Sequence, residues 1–345
     1  MALSQQPVSP RCATPLRGSR KAGAERERDG RPSPLRGQRD VDPAAWLAIV
    51  NPAAGGGRCG RRAPGALDTL RASLTGSGET LETAVTSSSG DATRIARAAF
   101  ARGARHFLAV GGDGTAFEIL NGILPEAGAN PRPPVLGFLP LGTGNSFVRD
   151  WSRDGLAHCL EALRAGLRRR VDVLRVTHRG GELWALSVVS LAFPAAVSSL
   201  VNRRLKPLGK VGYSLGVLLE VARLSPRELW LAVDGGEPRR ESLVLLCACN
   251  NQYVGGDMRM APDAAVDDGF LDLVTTGPVG RLELLRTFPR IFAGTHVEHP
   301  EVAVRRVRSL GLELEAEVEV MIDGESLRLL IERVDVVPGA IEVAL

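Results

Sequence analysis

The 345-residue chain carries 43 Lys+Arg against 39 Asp+Glu, a net charge of +4 and a sequence pI near 9.0. Nine basic and five acidic side chains fall in residues 1–42, so the whole excess sits there and residues 43–345 are balanced at 34 of each sign. A basic field over the body is thereby excluded, and with it a general nucleic-acid partner.

The composition, 44% hydrophobic and 24% charged, is that of an ordinary enzyme. Residues 1–42 hold too few large apolar side chains to offset their ordering entropy and are expected to be a disordered arm. That arm reads either as an electrostatic tether or as a start set too far upstream. The first twenty residues lack the apolar stretch of a cleavable signal peptide. Only Lys21, Lys206 and Lys210 are lysine, so a mechanism that needs lysine has almost no candidates. Cys12, Cys59, Cys159, Cys247 and Cys249 are odd in number and lack zinc spacing, which predicts reduced thiols in a cytosol.

From Ala45 short apolar runs alternate with amphipathic ones. Trp46–Val50, Leu81–Thr86, Phe107–Val110 and Val135–Leu139 read as buried parallel strands. Ala66–Leu74, Ala92–Arg102, Thr115–Leu124 and Leu156–Gly166 read as helices between and after them. This rhythm predicts a doubly wound α/β domain over residues 43–167.

Beyond Arg168 the pattern becomes strand after strand: Val171–Thr177, Leu183–Leu191, Glu228–Val233, Leu243–Cys249, Leu271–Thr275, Glu313–Ile322 and Leu327–Ile331. Hairpin signals stand at Asp234-Gly235-Gly236 and Asp323-Gly324, and helices are expected near Gly209–Arg223 and Arg281–Phe292. An antiparallel β-sandwich over residues 168–345 follows, whose last residues could pack back on the first domain. The uncharged stretch Trp184–Asn202 approaches bilayer length, but Pro194 and four serines make a strand and a helix the better reading.

Three glycine-rich segments sit at or beside strand ends of the first domain, where open α/β sheets bind ligands. Asn51-Pro52-Ala53-Ala54-Gly55-Gly56-Gly57 can bring backbone N–H groups to an anion. It is not a Walker A loop, because Arg61-Arg62 replace Lys-Ser/Thr. Taken alone, it is as readily a simple glycine turn. Gly111-Gly112-Asp113-Gly114-Thr115 opens a helix, pairing N–H donors with a carboxylate that can hold Mg²⁺ or accept a proton; Glu118 lies one turn on. Leu141-Gly142-Thr143-Gly144-Asn145 offers neutral hydrogen-bonding groups, and Thr86 ends strand two at the same level.

Together these resemble the diacylglycerol kinase catalytic-domain family, from Trp46 to the C-terminus. The motifs that carry it are the three loops with Asn121-Gly122, then Gly255-Gly256-Asp257-Met258, Ala261-Pro262-Asp263-Ala264 through Asp268-Gly269, and Asp323-Gly324-Glu325. The resemblance implies a phosphofructokinase/NAD kinase-like fold and an ATP-dependent lipid kinase in phospholipid metabolism. It would work in the cytoplasm at the inner face of a membrane, as a peripheral protein, with a homodimer left open. It implies nucleotide contacts from Asn51, Pro52, Ala53, Ala54, Gly55, Thr86, Gly112, Asp113, Gly114, Thr115, Glu118, Thr143 and Asn145. Asp113 and Glu325 are the implied catalytic pair, with the base undecided between them. A structural Mg²⁺ would be held by Asp268 with the carbonyls of Ala265 and Phe270.

Bacterial members of the family usually carry Asp where Ser146 stands; if that Asp helps hold the waters of the catalytic metal, the network is one charge short here, while Asp172 is retained at another acidic position of it. A kinase for a soluble substrate such as NAD, and a non-catalytic nucleotide- or lipid-binding module, are the competing readings. Arg203, Arg204, Lys206 and Lys210 lead into the apolar Val211–Leu224 and suit either anionic headgroups or a solvated helix face. His296 and His299 flank Glu298 but lack the third ligand a metal would need.

Overall fold

The computed structural model describes residues 45–74, 79–127, 132–192, 194–195 and 225–345. The N-terminal arm, the expected helix at Gly209–Arg223 and the basic stretch around Arg203–Lys210 lie outside the described residues. Residues 40–345 form one contact unit.

Four parallel strands, β1 (Trp46–Val50), β2 (Leu81–Val85), β3 (His106–Gly111) and β4 (Val135–Pro140), stand in the order β2-β1-β3-β4. The switch from leftward to rightward winding therefore falls between β1 and β3. Helices α1 (Arg58–Leu74) and α4 (Gly155–Ala165) pack on one face of this sheet through Leu67, Leu70 and Leu163. Helices α2 (Asp91–Ala101) and α3 (Asp113–Ala127) cover the other through Ala96, Phe100, Ile119 and Ile123. Each such fully buried leucine or isoleucine contributes roughly 1.5–3 kcal/mol. α2 and α3 approach so closely that a methyl group on Gly122 would stand 2.6 Å from the Thr93 carbonyl oxygen. Helix α1 starts eight residues earlier than expected and runs through Pro64. The buried Cys59 and Ala63 of its first turns hold that segment on the sheet despite the missing N–H.

The C-terminal half is built of antiparallel strands: β5 (Arg169–His178), β6 (Gly181–Ala185), β7 (Val188–Ala192), β8 (Arg227–Val233), β9 (Arg239–Leu243) and β10 (Leu245–Cys249), then the short pair β11 (Tyr253–Val254) and β12 (Met258–Arg259). β13 (Leu271–Thr276), helix α5 (Arg281–Thr287), β14 (Val302–Val307), β15 (Ser309–Glu313), β16 (Val318–Ile322), β17 (Glu325–Leu329) and β18 (Ile331–Ala344) complete the chain. A six-stranded sheet, β14-β13-β10-β7-β16-β17, faces the antiparallel part of a ten-stranded sheet across a core that includes Leu174, Val189, Leu246, Leu310 and Val334. The ten-stranded sheet is continuous with the parallel one, because the long β18 pairs with β5 and then runs parallel to β4, Val343 opposite Leu136.

Three expected strands are each two. Leu183–Leu191 divides into β6 and β7, Glu313–Ile322 into β15 and β16, and Leu327–Ile331 breaks between β17 and β18. In each case the chain crosses from one sheet to the other. The hairpin signals appear where expected: Asp323 and Gly324 both have positive φ in a two-residue turn between the paired Ile322 and Glu325, and Asp234 and Gly235 also have positive φ in a turn closed by the Gly236 N–H on the Val233 carbonyl at 2.9 Å. Cys59, Cys159, Cys247 and Cys249 are buried free thiols. Among the described residues no helix is long and apolar enough to cross a membrane.

Candidate active site

The glycine loops converge because their lack of side chains lets backbones touch. Leu141 and Gly142 both donate their N–H to the Gly111 carbonyl at 2.7 Å. A methyl group on Gly112 would lie 3.1 Å from Gly142 Cα, and one on Gly55, whose φ is +62°, would lie 2.6 Å from the Leu141 carbonyl oxygen. In the first loop Asn51 Oδ1 accepts the Ala53 N–H at 3.1 Å, and Pro52 accepts the Gly60 N–H at 3.1 Å. Thr86 is held at the sheet end by its N–H on the Val50 carbonyl at 2.9 Å. Ala53 and Thr143 are exposed at the mouth, with Ala54, Gly112 and Gly114 half-buried beneath them.

Asp113 begins α3, and its half-buried carboxylate reaches the third loop, where Oδ2 accepts the Ser146 N–H at 3.0 Å. Burial pushes its pKa up, against backbone N–H groups of Ser146, Phe147 and Asn145 that favour the charged form. The Asp323-Gly324-Glu325 turn arrives from β16 at the same place. A methyl group on Gly114 would overlap Glu325 Oε1 and stand 3.5 Å from its Cδ, so the Glu325 carboxylate lies against the residue that follows Asp113.

Asp323 is buried beneath them. Its oxygens accept three backbone N–H groups, from Leu186 at 2.7 Å, Ser187 at 2.9 Å and Val188 at 3.0 Å. Burial raises its pKa to about 6, and the nearby Asp113 charge adds to the rise. It thereby pins the β6–β7 crossing to the turn that presents Glu325.

Other expected contacts have structural work. Glu118 caps α2, Oε1 accepting the Gly90 N–H at 2.9 Å and Oε2 the Ala92 N–H at 3.0 Å. The Thr115 hydroxyl is buried against Gly111 and finds no hydrogen-bond partner among the described residues. Asn145 has φ +55° and braces its own loop, its Nδ2 donating to the Pro140 and Gly142 carbonyls, both at 3.2 Å. Asn121 ties α3 to β6 through both the N–H and the carbonyl of Trp184, each at 2.9 Å.

Ser146, the departure from the family pattern, joins the two halves: its Oγ accepts the Gly256 N–H at 2.9 Å. Asp172 takes the Gly269 N–H at 2.7 Å and the Gly339 N–H at 2.8 Å beside Asp268. In the Ala265, Asp268 and Phe270 set the carboxylate is already engaged. Asp268 Oδ2 is engaged by the Arg306 guanidinium, and Oδ1 accepts the Phe270 N–H at 2.9 Å. A cation belonging to the chain already neutralises that carboxylate.

Asp150 carried no motif and was missed. It sits in the 3-10 turn Phe147–Asp150 and accepts from Gln252 N–H at 3.3 Å and Asn251 Nδ2 at 3.5 Å; burial raises its pKa to about 7. Its only sequence signal is its place five residues after the third loop. His296 and His299 do not pair on a metal: His296 bonds the Met260 carbonyl at 3.1 Å and His299 bonds Glu283 at 3.1 Å.

A doubly wound glycine-loop cradle joined to a β-sandwich, with carboxylates at its mouth, defines a phosphoryl-transfer site. Residues 45–176 match the diacylglycerol kinase catalytic domain model, and residues 187–345 the YegS C-terminal NAD kinase beta sandwich-like domain model. A diacylglycerol kinase of Mycobacterium tuberculosis is 30% identical over 86% of this chain and 93% of its own length. One of Staphylococcus aureus is 27% identical over 80% of this chain and 84% of its own. A crystal structure of a diacylglycerol kinase from Bacillus anthracis superposes with a TM-score of 0.63 at 22% identity, covering 87% of this chain and 96% of that one. The chain belongs to the diacylglycerol kinase family and is a kinase.

Proposed function

We propose that the protein transfers the γ-phosphoryl group of ATP to the hydroxyl of a lipid of the diacylglycerol or sphingoid type. The observation that carries this is an apolar cavity in the C-terminal half, lined by Val254, Met258, Met260, Leu284, Phe288 and Ile291 among others. Its walls run into the site along the chain. Val254 precedes the Gly255-Gly256 loop that touches Gly144 and Ser146, and Met321, also a lining residue, leads through β16 into Asp323-Gly324-Glu325. An acyl chain in this cavity would present its headgroup hydroxyl at Glu325. A soluble dinucleotide has no use for such a wall.

The nucleotide phosphates would lie over the backbone N–H groups of the Asn51–Gly57 and Gly112–Thr115 loops, at the N-terminus of α3. Ala53, Thr86 and Thr143 border the space for the nucleoside. Asp113 is a hard carboxylate fixed on Ser146, a donor that fits Mg²⁺; the ion supplies charge neutralisation on the phosphates when bound. Glu325 accepts the proton of the lipid hydroxyl as its oxygen forms the new P–O bond and ADP takes the pair from the broken one. Glu325 is exposed at the turn that follows the cavity-lining Met321, and Asp113 is half-buried with its Oδ2 on the Ser146 N–H.

The test is labelled-ATP transfer to diacylglycerol, monoacylglycerol, sphingosine, ceramide and NAD, with Asp113→Asn and Glu325→Gln alongside. Label in NAD and in no lipid overturns the lipid reading. ATP binding without turnover on any acceptor makes this a non-catalytic member, and labelled lipid undiminished in both variants removes the residue assignments.

A further inference from the structure

Helix α5 and the 3-10 turn Phe288–Phe292 that continues it roof the apolar cavity with one side, through Leu284, Phe288 and Ile291. A surface helix with one buried stripe would be polar elsewhere. This one is not. Leu282 is 59% exposed, Leu285 36% and Phe292 50%, three of the seven large apolar side chains exposed among the described residues. Leu282 and Leu285, three residues apart, share one face of the helix. Arg281 and Arg286 stand exposed beside them, while the helix's acidic residue, Glu283, is engaged by His299 at 3.1 Å. Arg290, one turn on, holds Glu298 at 2.7 Å.

We propose that this outer face is the surface by which the protein docks on an anionic phospholipid bilayer. The chemistry is that of an interfacial helix: leucine and phenylalanine enter the acyl boundary while flanking arginines meet anionic headgroups. The placement is what a lipid acceptor requires, since the same segment borders the bilayer on one side and the acyl cavity on the other. In that respect the inference rests on the lipid-kinase reading. The basis for preferring a membrane over a second copy of the chain is the pair of arginines, which would face their own images across a two-fold contact.

The full-length protein is to be co-sedimented with vesicles of phosphatidylcholine alone and with vesicles in which part of it is replaced by phosphatidylglycerol. Leu282→Asp with Leu285→Asp should lower binding to anionic vesicles at least about tenfold. Arg281→Gln with Arg286→Gln should weaken the preference for anionic over neutral vesicles, as should raising the salt. Both double variants should keep the wild-type melting temperature and phosphoryl transfer to a monomeric short-chain acceptor. Vesicle binding unchanged in the leucine variant overturns the proposal. So does a wild-type dimer, seen by light scattering, that the leucine variant converts to monomer at unaltered vesicle binding. Short-chain lipid phosphorylated without vesicle binding removes the docking face and leaves the kinase reading intact. Vesicle binding with no lipid phosphorylated does the reverse.

Discussion

Gly114→Ala separates stability from chemistry. Gly114 is the second residue of α3, and its φ is not among the positive ones, so alanine fits the backbone. Replacing a helical glycine by alanine is worth up to about 1 kcal/mol in favour of the fold. The added methyl group, however, occupies the position of Glu325 Oε1, the far end of a side chain that rotates out of the way cheaply. The fold should therefore be unharmed or slightly stabilised while Glu325 leaves the mouth of the site. A misplacement of about 1 Å costs on the order of 10²-fold, and loss of a general base 10²–10⁴-fold. Labelled-ATP transfer to a dispersed short-chain acceptor should thus fall by at least about a hundredfold, with the calorimetric melting temperature at or above wild type. Gly142→Ala makes the contrast: its methyl group would overlap Gly112 Cα, which is backbone and has nowhere to go. Overpacking of that kind should cost roughly 1–3 kcal/mol of stability as well as activity. Wild-type turnover in Gly114→Ala would refute the placement of Glu325 in the reaction.

Asp323→Ala leaves the Leu186, Ser187 and Val188 N–H groups without their acceptor; a loss of about 3 kcal/mol in denaturant unfolding is expected, and a loss under about 1 would show that water replaces the carboxylate. Asp150, Asp272 and Asp323 have pKa values raised by burial to about 7, 6 and 6, so between about pH 4 and 7 the folded chain binds more protons than the unfolded one. Their contribution to stability is full below the unfolded values and is lost as pH rises through that window. The melting temperature should fall there, and Asp323→Asn should flatten the fall; a steady rise would contradict it. Turnover should move the other way. Asp113 must be ionised to hold a cation and burial raises its pKa, so kcat falls as pH drops, a limb that Asp113→Asn should lack. Because Arg306 already neutralises Asp268, a chelator should leave the melting temperature unchanged, and a drop reversed by Mg²⁺ would overturn that reading.

The parallel half was legible because its signals are local. Buried parallel strands are continuous apolar runs, glycine marks their ends, and the loops keep the spacing their backbones require; β1, α2, β4 and α4 fall within a residue of expectation. The sandwich was less legible. Alternation reports that a residue points into a core but not which sheet carries it, so the crossings at Leu186-Ser187 and between β15 and β16 were invisible. The hydrogen bonds of Glu118 and Asp172 were invisible for a related reason. A carboxylate in a motif has the same letter whether it faces a nucleotide or an N–H group of the next helix.

The charge excess in residues 1–42, the order of the glycine loops and the presence of Asp113 and Glu325 were determined by the sequence alone, since each depends only on residue type and spacing. That Glu325 lies against Gly114, that Ser146 receives Gly256, and that Arg306 meets Asp268 were decided by tertiary structure. The first two join residues 211 and 110 positions apart across the two halves, which the long β18 ties into one sheet, and the third joins residues 38 apart because β14 pairs with β13. The apolar cavity and the exposed leucines above it are of the same kind. A row of hydrophobic letters in α5 states that something must be covered, and only packing shows which side the protein covers itself.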